Sequence, residues 1–366
     1  MPQERPSPGQ VVLLAGVALA LVGGVVLYRH NKGSRPFGMQ PDGEPTRALS
    51  TGAPQPSGSV ATARPAEGSA REAFPAGDVF SERVRILLGL FYTEAPAERP
   101  DDRLRAIQAK EFRGLTLVDR LDSFTATPAL AIASPRIDDY PPPTKELVSL
   151  VTHGLSAAQM LALPRSQAVL ALETLAAKGE AVRTLREVSL LAATVAKETG
   201  AVICDRHTGE CFSEASWRAQ RIAGWTDDTP SLDHHVVIRP GPSGDVERAV
   251  TLGMAKLGLP DVVIESFPGS LSRDVASLIR LVCQTLFERG RLETQGRLTL
   301  DLDALRETDV KKVLHDAARP SAQRKAEIRV VVGKRREGDP DNRLLEISAP
   351  EPALRELLST LFGSSE

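Results

Sequence analysis

The sequence predicts an α+β fold: a mixed, largely antiparallel sheet with flanking helices, preceded by one transmembrane helix and a disordered linker. Three observations carry that expectation. Val11 to Tyr28 passes without a single charge, long enough to cross a bilayer core as a helix. Gly33 to Gly77 is dominated by Pro, Gly, Ala and Ser and has no apolar periodicity, so it cannot bury enough surface to fold. From about Asp78 onward, short β-rich runs outnumber helical stretches and mix hairpins with crossovers. That mixture argues against a doubly wound parallel sheet.

Composition sets the outer limits. The chain has 366 residues with 42% hydrophobic and 25% charged content, close to globular averages. A net charge of -2 gives no global field that would draw in nucleic acid. Three cysteines do not make a disulfide framework in a chain this long. Ala, Arg and Leu are plentiful and aromatics scarce, the bias of a high-GC bacterial genome.

The apolar run reads as an uncleaved anchor. A cleaved signal peptide wants a basic start, a shorter apolar core and a small-residue cleavage site, whereas this run ends in Tyr28-Arg29-His30. Arg29, Lys32 and Arg35 follow it and only Arg5 precedes it, so the positive-inside rule places the body in the cytoplasm. Gly16, Ala20 and Gly24 share one helix face at four-residue spacing, a pattern that lets helices pair closely in lipid. The expected plan is a tail (1–10), a transmembrane helix (11–28), a linker (29–77) and a soluble body (78–366) with a possible C-terminal subdomain (296–366), at the bacterial cytoplasmic membrane.

Within the body, RVRILLGLFY (Arg83 to Tyr92) reads as a strand, Asp101 to Phe112 as a polar helix and Pro128 to Ser134 as a buried strand. Three successive prolines then break the chain. Lys145 to Leu163 reads as a helix kinked near Gly154, and Ser166 to Glu173 as a strand. Val182, Leu185, Val188, Leu191 and Val195 recur at helical spacing, with Gly200 placed as a C-cap and Ala201 to Cys204 following as a strand. Further strands are expected at His235 to Arg239, Asp245 to Leu252 and Pro260 to Ser266. Leu271, Val275, Leu278, Ile279, Val282 and Leu286 form the stripe of a helix over about Ser270 to Arg289. EIRVVVGK and RLLEIS flank REGDPDN as a hairpin, and a helix over about Pro352 to Phe362 closes the chain.

CDRHTGECF (Cys204 to Phe212) is the stretch richest in reactive groups. A four-residue loop, Arg206 to Gly209, would put Cys204 and Cys211 opposite each other on adjacent strands. In a cytoplasmic body two reduced thiols are the favoured reading; a disulfide would need an oxidising compartment. A zinc site on Cys204, His207 and Cys211, with the Asp233-His234-His235 cluster, matches tetrahedral spacing poorly. A redox switch would draw on the positive charge of Arg206 and His207. His234 and His235, adjacent on a strand, would face opposite ways. Trp217 and Trp225 read as core packing near the hairpin.

Common catalytic motifs are missing. Gly253 and Gly258 have phosphate-loop spacing, yet Leu259-Pro260 stands where the Lys-Ser/Thr pair belongs, leaving a turn into a strand. Asp301 and Asp303 would share a strand face as paired carboxylates, with nothing else to mark a cleft. Lys311, Lys312, Arg319, Arg324, Lys325, Arg329, Lys334, Arg335 and Arg336 form a basic cluster with no aromatic residue. The favoured reading is a solvated face balanced by acids elsewhere; the alternative is contact with anionic lipid headgroups, and the stacking partners of a single-stranded nucleic acid site are missing.

Thr199, Gly200 and Ala201, then Ser213 and Trp217, then Gly253, Met254, Gly258, Leu259, Pro260 and Asp261 form an ordered pattern across Pro128 to Gly290. It resembles a group of bacterial α+β domains without an assigned activity, and the resemblance implies a fold and no catalytic residues. The sequence thus predicts a membrane-anchored interaction module with a protein partner or self-association, no cofactor and no nucleic acid. The alternative is a membrane-tethered hydrolase with a pocket near Cys204–Cys211, His234 or Gly253–Asp261.

Overall fold

The computed structural model describes residues 72–94, 99–121, 128–226, 228–243 and 246–363. The first half contains β1 (Gly77–Asp78), β2 (Arg83–Tyr92), α1 (Pro100–Glu111), β3 (Thr116–Val118), β4 (Ala129–Ala133), α2 (Lys145–Val151), β5 (Thr152–His153), α3 (Ala157–Ala162), β6 (Ala168–Ala177), α4 (Ala181–Thr199), β7 (Val202–Asp205), β8 (Cys211–Phe212) and α5 (Glu214–Trp217). The second half contains β9 (Val237–Ser243), β10 (Val246–Leu252), β11 (Asp261–Phe267), α6 (Ser272–Arg289), β12 (Arg291–Leu292), β13 (Arg297–Asp301), α7 (Asp309–Ala317), β14 (Lys325–Val332), β15 (Leu344–Ile347) and α8 (Glu351–Phe362).

The fold is mixed α+β with three sheets, not the single sheet expected. A seven-stranded sheet runs β3-β4-β6-β2-β7-β8-β5, a six-stranded sheet runs β13-β14-β15-β11-β10-β9, and β1 pairs with β12. Three pairings are parallel: β3 with β4, β5 with β8, and β11 with β15. The spine of the first sheet is the antiparallel register of β2 on β6, from Arg83 opposite Ala177 to Tyr92 opposite Ala168.

Each large sheet carries one long helix. The stripe of α4 buries Leu185, Val188, Leu191 and Val195, and the stripe of α6 buries Val275, Leu278, Ile279, Val282 and Leu286. Both end at a left-handed glycine, Gly200 (φ 71°) and Gly290 (φ 61°), whose N–H bonds back four residues. That conformation is open to glycine without a Cβ clash. One continuous apolar core takes residues from both helices and both sheets. A smaller core lies on the other face of the first sheet, around Phe91, Val148, Val202, Cys204 and Cys211.

Among the described residues no helix is long and apolar enough to cross a membrane. The expected fold class with its transmembrane helix, the integral-membrane partner and the single-pass location at the cytoplasmic membrane are corrected on that finding. The expected span at Val11 to Tyr28, with Gly16, Ala20 and Gly24, lies outside the described residues. The two longest helices are amphipathic instead: α4 sets Arg183, Arg186 and Lys197 opposite its apolar stripe, the pattern of a helix laid on a core.

Three local expectations also change. Lys145 to Leu163 is not one kinked helix, because Thr152 and His153 leave it to pair with β8 and Gly154 turns the chain at φ 66°. Residues 72–77, expected as linker, are held on the body: Val332 N donates to Glu72 O at 3.0 Å, Phe74 N donates to Val330 O at 3.2 Å, and Phe74 is buried. Helix α7, capped by Thr308 Oγ accepting from Lys311 N at 3.2 Å, has no counterpart in the sequence reading. REGDPDN does join an antiparallel hairpin, Val330 opposite Ile347.

Candidate functional site

The four segments densest in chemistry meet at one place. Asp205 ends β7, where alternation turns Cys204 into the smaller core and aims Asp205 at the other face. There Lys256 Nζ pairs with the Asp205 carboxylate. Arg221 stands 3.6 Å from the same carboxylate and 2.6 Å from Glu210, and His153 Nε2 lies 2.9 Å from Glu210. Side-chain exposure is 1% for Lys256, 2% for Asp205 and 3% for Arg221. The chain of groups therefore runs from a sealed centre to His153, which is partly exposed and stacks on Phe212 at 4.6 Å.

Local sequence explains how each group arrives. The hairpin closes through Asp205 N to Glu210 O and Gly209 N to Asp205 O, both 2.8 Å, with Gly209 at φ 77°. Asp205 Oδ1 also accepts from His207 N at 2.9 Å, an Asx turn that fixes the carboxylate. Lys256 rides on a tight turn, Met254–Leu257, bracketed by Gly253 (φ 110°) and Gly258 (φ 77°). A Cβ on Gly253 would collide with the carbonyl oxygen of His235. Asp261 pins this turn: Thr251 Oγ1 donates to it at 2.8 Å, Met254 N at 3.3 Å and Asn342 Nδ2 at 2.7 Å. Arg221 lies in a single π-helical turn, Arg218–Ile222, after α5, with its guanidinium 4.7 Å from the Phe212 ring centre.

Burial shifts the charges of this cluster. For Asp205, burial alone would raise the carboxyl, but Lys256 and Arg221 outweigh it and hold the group well below the usual range. Burial pulls the Lys256 amine down to about 8, against the attraction of Asp205. Burial likewise pulls His207 down to about 4 and His235 well below its ordinary value. Asp261 is pushed up to about 6 by burial, against the hydrogen bonds it accepts. His235 is 1% exposed, neither ring nitrogen has a hydrogen-bond partner among the described residues, and Trp225 meets the ring edge-on at 5.8 Å.

The sequence-predicted residues fall as follows. Cys204 and Cys211 do face each other across the hairpin and are joined as a disulfide, with Cα atoms 4.0 Å apart. The reading as two reduced thiols is corrected, and neither sulfur is free to hold a metal. His207 Nε2 accepts from Leu87 N at 3.2 Å, so its ring is turned into the sheet. Among the described residues no group of three His, Cys, Asp or Glu side chains gathers as a metal site. His234 and His235 lie at the end of a 3-10 turn and not on a strand. Asp301 is on β13, but Asp303 lies beyond it, so they do not form a carboxylate pair.

The basic cluster is dispersed rather than gathered. Lys311 is buried against Glu307 and two backbone carbonyls. Lys312 pairs with Asp309, Arg324 with Asp303, Lys325 with Asp301, Arg335 with Asp341 and Arg336 with Glu265. Arg319 donates to Gly363 O at 2.5 Å, while Arg329 and Lys334 are exposed. Acids close in the chain, and for Arg324, Lys325 and Arg336 acids distant in the chain, neutralise most of what one stretch of sequence makes look positive.

The pattern behind the family resemblance is structural here. Gly200 caps α4, Ser213 Oγ caps α5 by accepting from Ser216 N at 3.2 Å, and Trp217 Nε1 donates to Ser189 O at 2.9 Å. Sequence reasoning missed Lys256, Arg221 and Asp205 as partners. The available signal was a lone lysine inside Met-Ala-Lys-Leu, between two glycines and otherwise apolar residues. No match to this chain was found among protein-family models, curated proteins or solved structures.

Proposed function

We propose that this chain is a non-enzymatic binding module that holds a protein partner or a second copy of itself. The observation that carries the reading is the state of the ion cluster. Lys256, Asp205, Arg221 and Glu210 balance one another in charge, two positive against two negative, with Lys256, Asp205 and Arg221 nearly inaccessible. Groups arranged this way hold the two large sheets together and present no reactive atom to a substrate. A second reading, a hydrolase, is favoured by Lys256 near 8 and Asp261 near 6, values suited to proton transfer at neutral pH. It requires the buried Lys256 and Asp261 to become accessible to substrate.

One paired experiment separates them. The full chain is assayed against chromogenic carboxylic esters and phosphate monoesters, and its mass is followed by sedimentation over a concentration series, alone and in extract of its source cells. The binding reading expects no turnover above heated protein, and self-association or one stoichiometric partner. Turnover that Lys256→Met abolishes, from a chain that stays monomeric and partnerless, would overturn it.

A further inference from the structure

Away from the ion cluster, residues 232–238, α6 and α7 meet around a space of about 200 Å³. Its floor is Ile279 and Cys283 of α6 and Val310 of α7, all buried. Leu232, Val236 and Ile238 make the walls. Asp233 and Arg280 line its more exposed side, with Arg280 Nε donating to Asp233 Oδ1 at 3.0 Å. Their side chains are 30% and 35% exposed.

The sequence of α6 explains the gap. Val275, Leu278, Ile279, Val282 and Leu286 fill the rest of its buried stripe, and Cys283 is smaller than any of them. The helix therefore leaves room where a branched side chain would close it. Burial pushes the Cys283 thiol well above its usual range, so it serves as an apolar wall and not as a nucleophile. The space is open to solvent on the side of Asp233 and Arg280, and its volume of about 200 Å³ has room for a ring with one substituent. Small-molecule sites are mostly apolar with a few placed polar groups. Here those groups are an acid and a base that neutralise each other, offering an acceptor and a donor without net charge.

We infer that this pocket binds a small uncharged molecule of the phenol class, with its ring on Ile279, Cys283 and Val310 and its hydroxyl between Asp233 and Arg280. The site is independent of the binding function proposed above.

The test is fluorine NMR of the full chain titrated with 4-fluorophenol to about 5 mM, several times a dissociation constant of about 1 mM. Saturable binding is expected. 4-Fluorobenzoate should bind roughly tenfold more weakly or worse, because its carboxylate would meet Asp233 as a like charge. Asp233→Asn leaves Arg280 without its counter-charge and should reverse that preference. Cys283→Leu fills the floor and should remove binding of both probes. Should Cys283→Leu fail to fold, Asp233→Asn decides alone, since its side chain stands partly in solvent. Absence of saturable binding, binding unchanged in a folded Cys283→Leu chain, or a preference unmoved by Asp233→Asn would each overturn the assignment.

Discussion

Replacing Lys256 by Met isolates the contact that ties the two large sheets. Lys256 comes from the turn after β10 in the six-stranded sheet, Asp205 from β7 in the seven-stranded sheet, and both are buried. Methionine fills much of the same volume, so the change removes a charge more than it removes packing. The Asp205 carboxylate would keep Arg221 at 3.6 Å and the His207 N–H at 2.9 Å, but its nearest cation would be gone. Removing one partner of a buried pair costs about 3–5 kcal/mol, because the other charge is stranded in a medium that cannot solvate it. With Arg221 remaining, a loss of about 3 kcal/mol is expected at the lower end of that range. Urea unfolding of the full chain, followed by far-UV circular dichroism and by tryptophan emission, measures it. The double variant Lys256→Met/Asp205→Asn removes both charges and should cost less than Lys256→Met alone, because no buried charge is left uncompensated by the substitution. A loss below about 1 kcal/mol in the single variant, or a double-variant loss equal to the sum of the two single losses, would refute the buried-pair reasoning.

Other outcomes follow from the same geometry. Between its ordinary value of 3.8 and about 6, Asp261 holds its proton in the folded chain and loses it in the unfolded one, so its contribution to stability falls as pH rises through that window. His207 and His235 have the opposite slope, since burial keeps them neutral in the fold. Asp261→Asn should therefore lose stability more steeply than the parent as pH drops from 6 to 4, read from urea midpoints across that range. Of the three cysteines, only Cys283 should react with a thiol reagent in denaturant without reductant, because Cys204 and Cys211 are joined; three reactive thiols would refute the bridge. Cys204→Ala/Cys211→Ala should cost about 2–3 kcal/mol for so short a loop, measured by the same unfolding curves. Gly253→Ala should destabilise by about 1–3 kcal/mol through its left-handed backbone and the collision with His235 O, and a thermal midpoint equal to the parent's would refute that.

Much of the secondary structure was legible because it answers to local rules. The β2 run alternates early and then turns apolar, and it forms a strand over the residues read from sequence. Stripes at helical spacing gave α4 and α6, and Gly200 gave the end of α4. The hairpin at Cys204–Cys211 followed from turn chemistry and spacing alone. Lys145 to Leu163 was misread because Thr152 and His153 are drawn into β8 by a partner 59 residues away, which no local window contains. Helix α7 was missed because its short amphipathic pattern lies within a lysine-rich stretch that reads first as charge.

What the sequence by itself determined is most of the longer amphipathic elements, the hairpin turn and the placement of Cys204 opposite Cys211, since each depends on residues close in the chain. Tertiary structure alone decided that Asp205 meets Lys256 across 51 residues of sequence, that Arg221 joins them, and that Arg324, Lys325 and Arg336 of the basic stretch meet acids distant in the chain. Charges interact through space and their solvation depends on burial, and neither quantity is written in the order of residues along the chain.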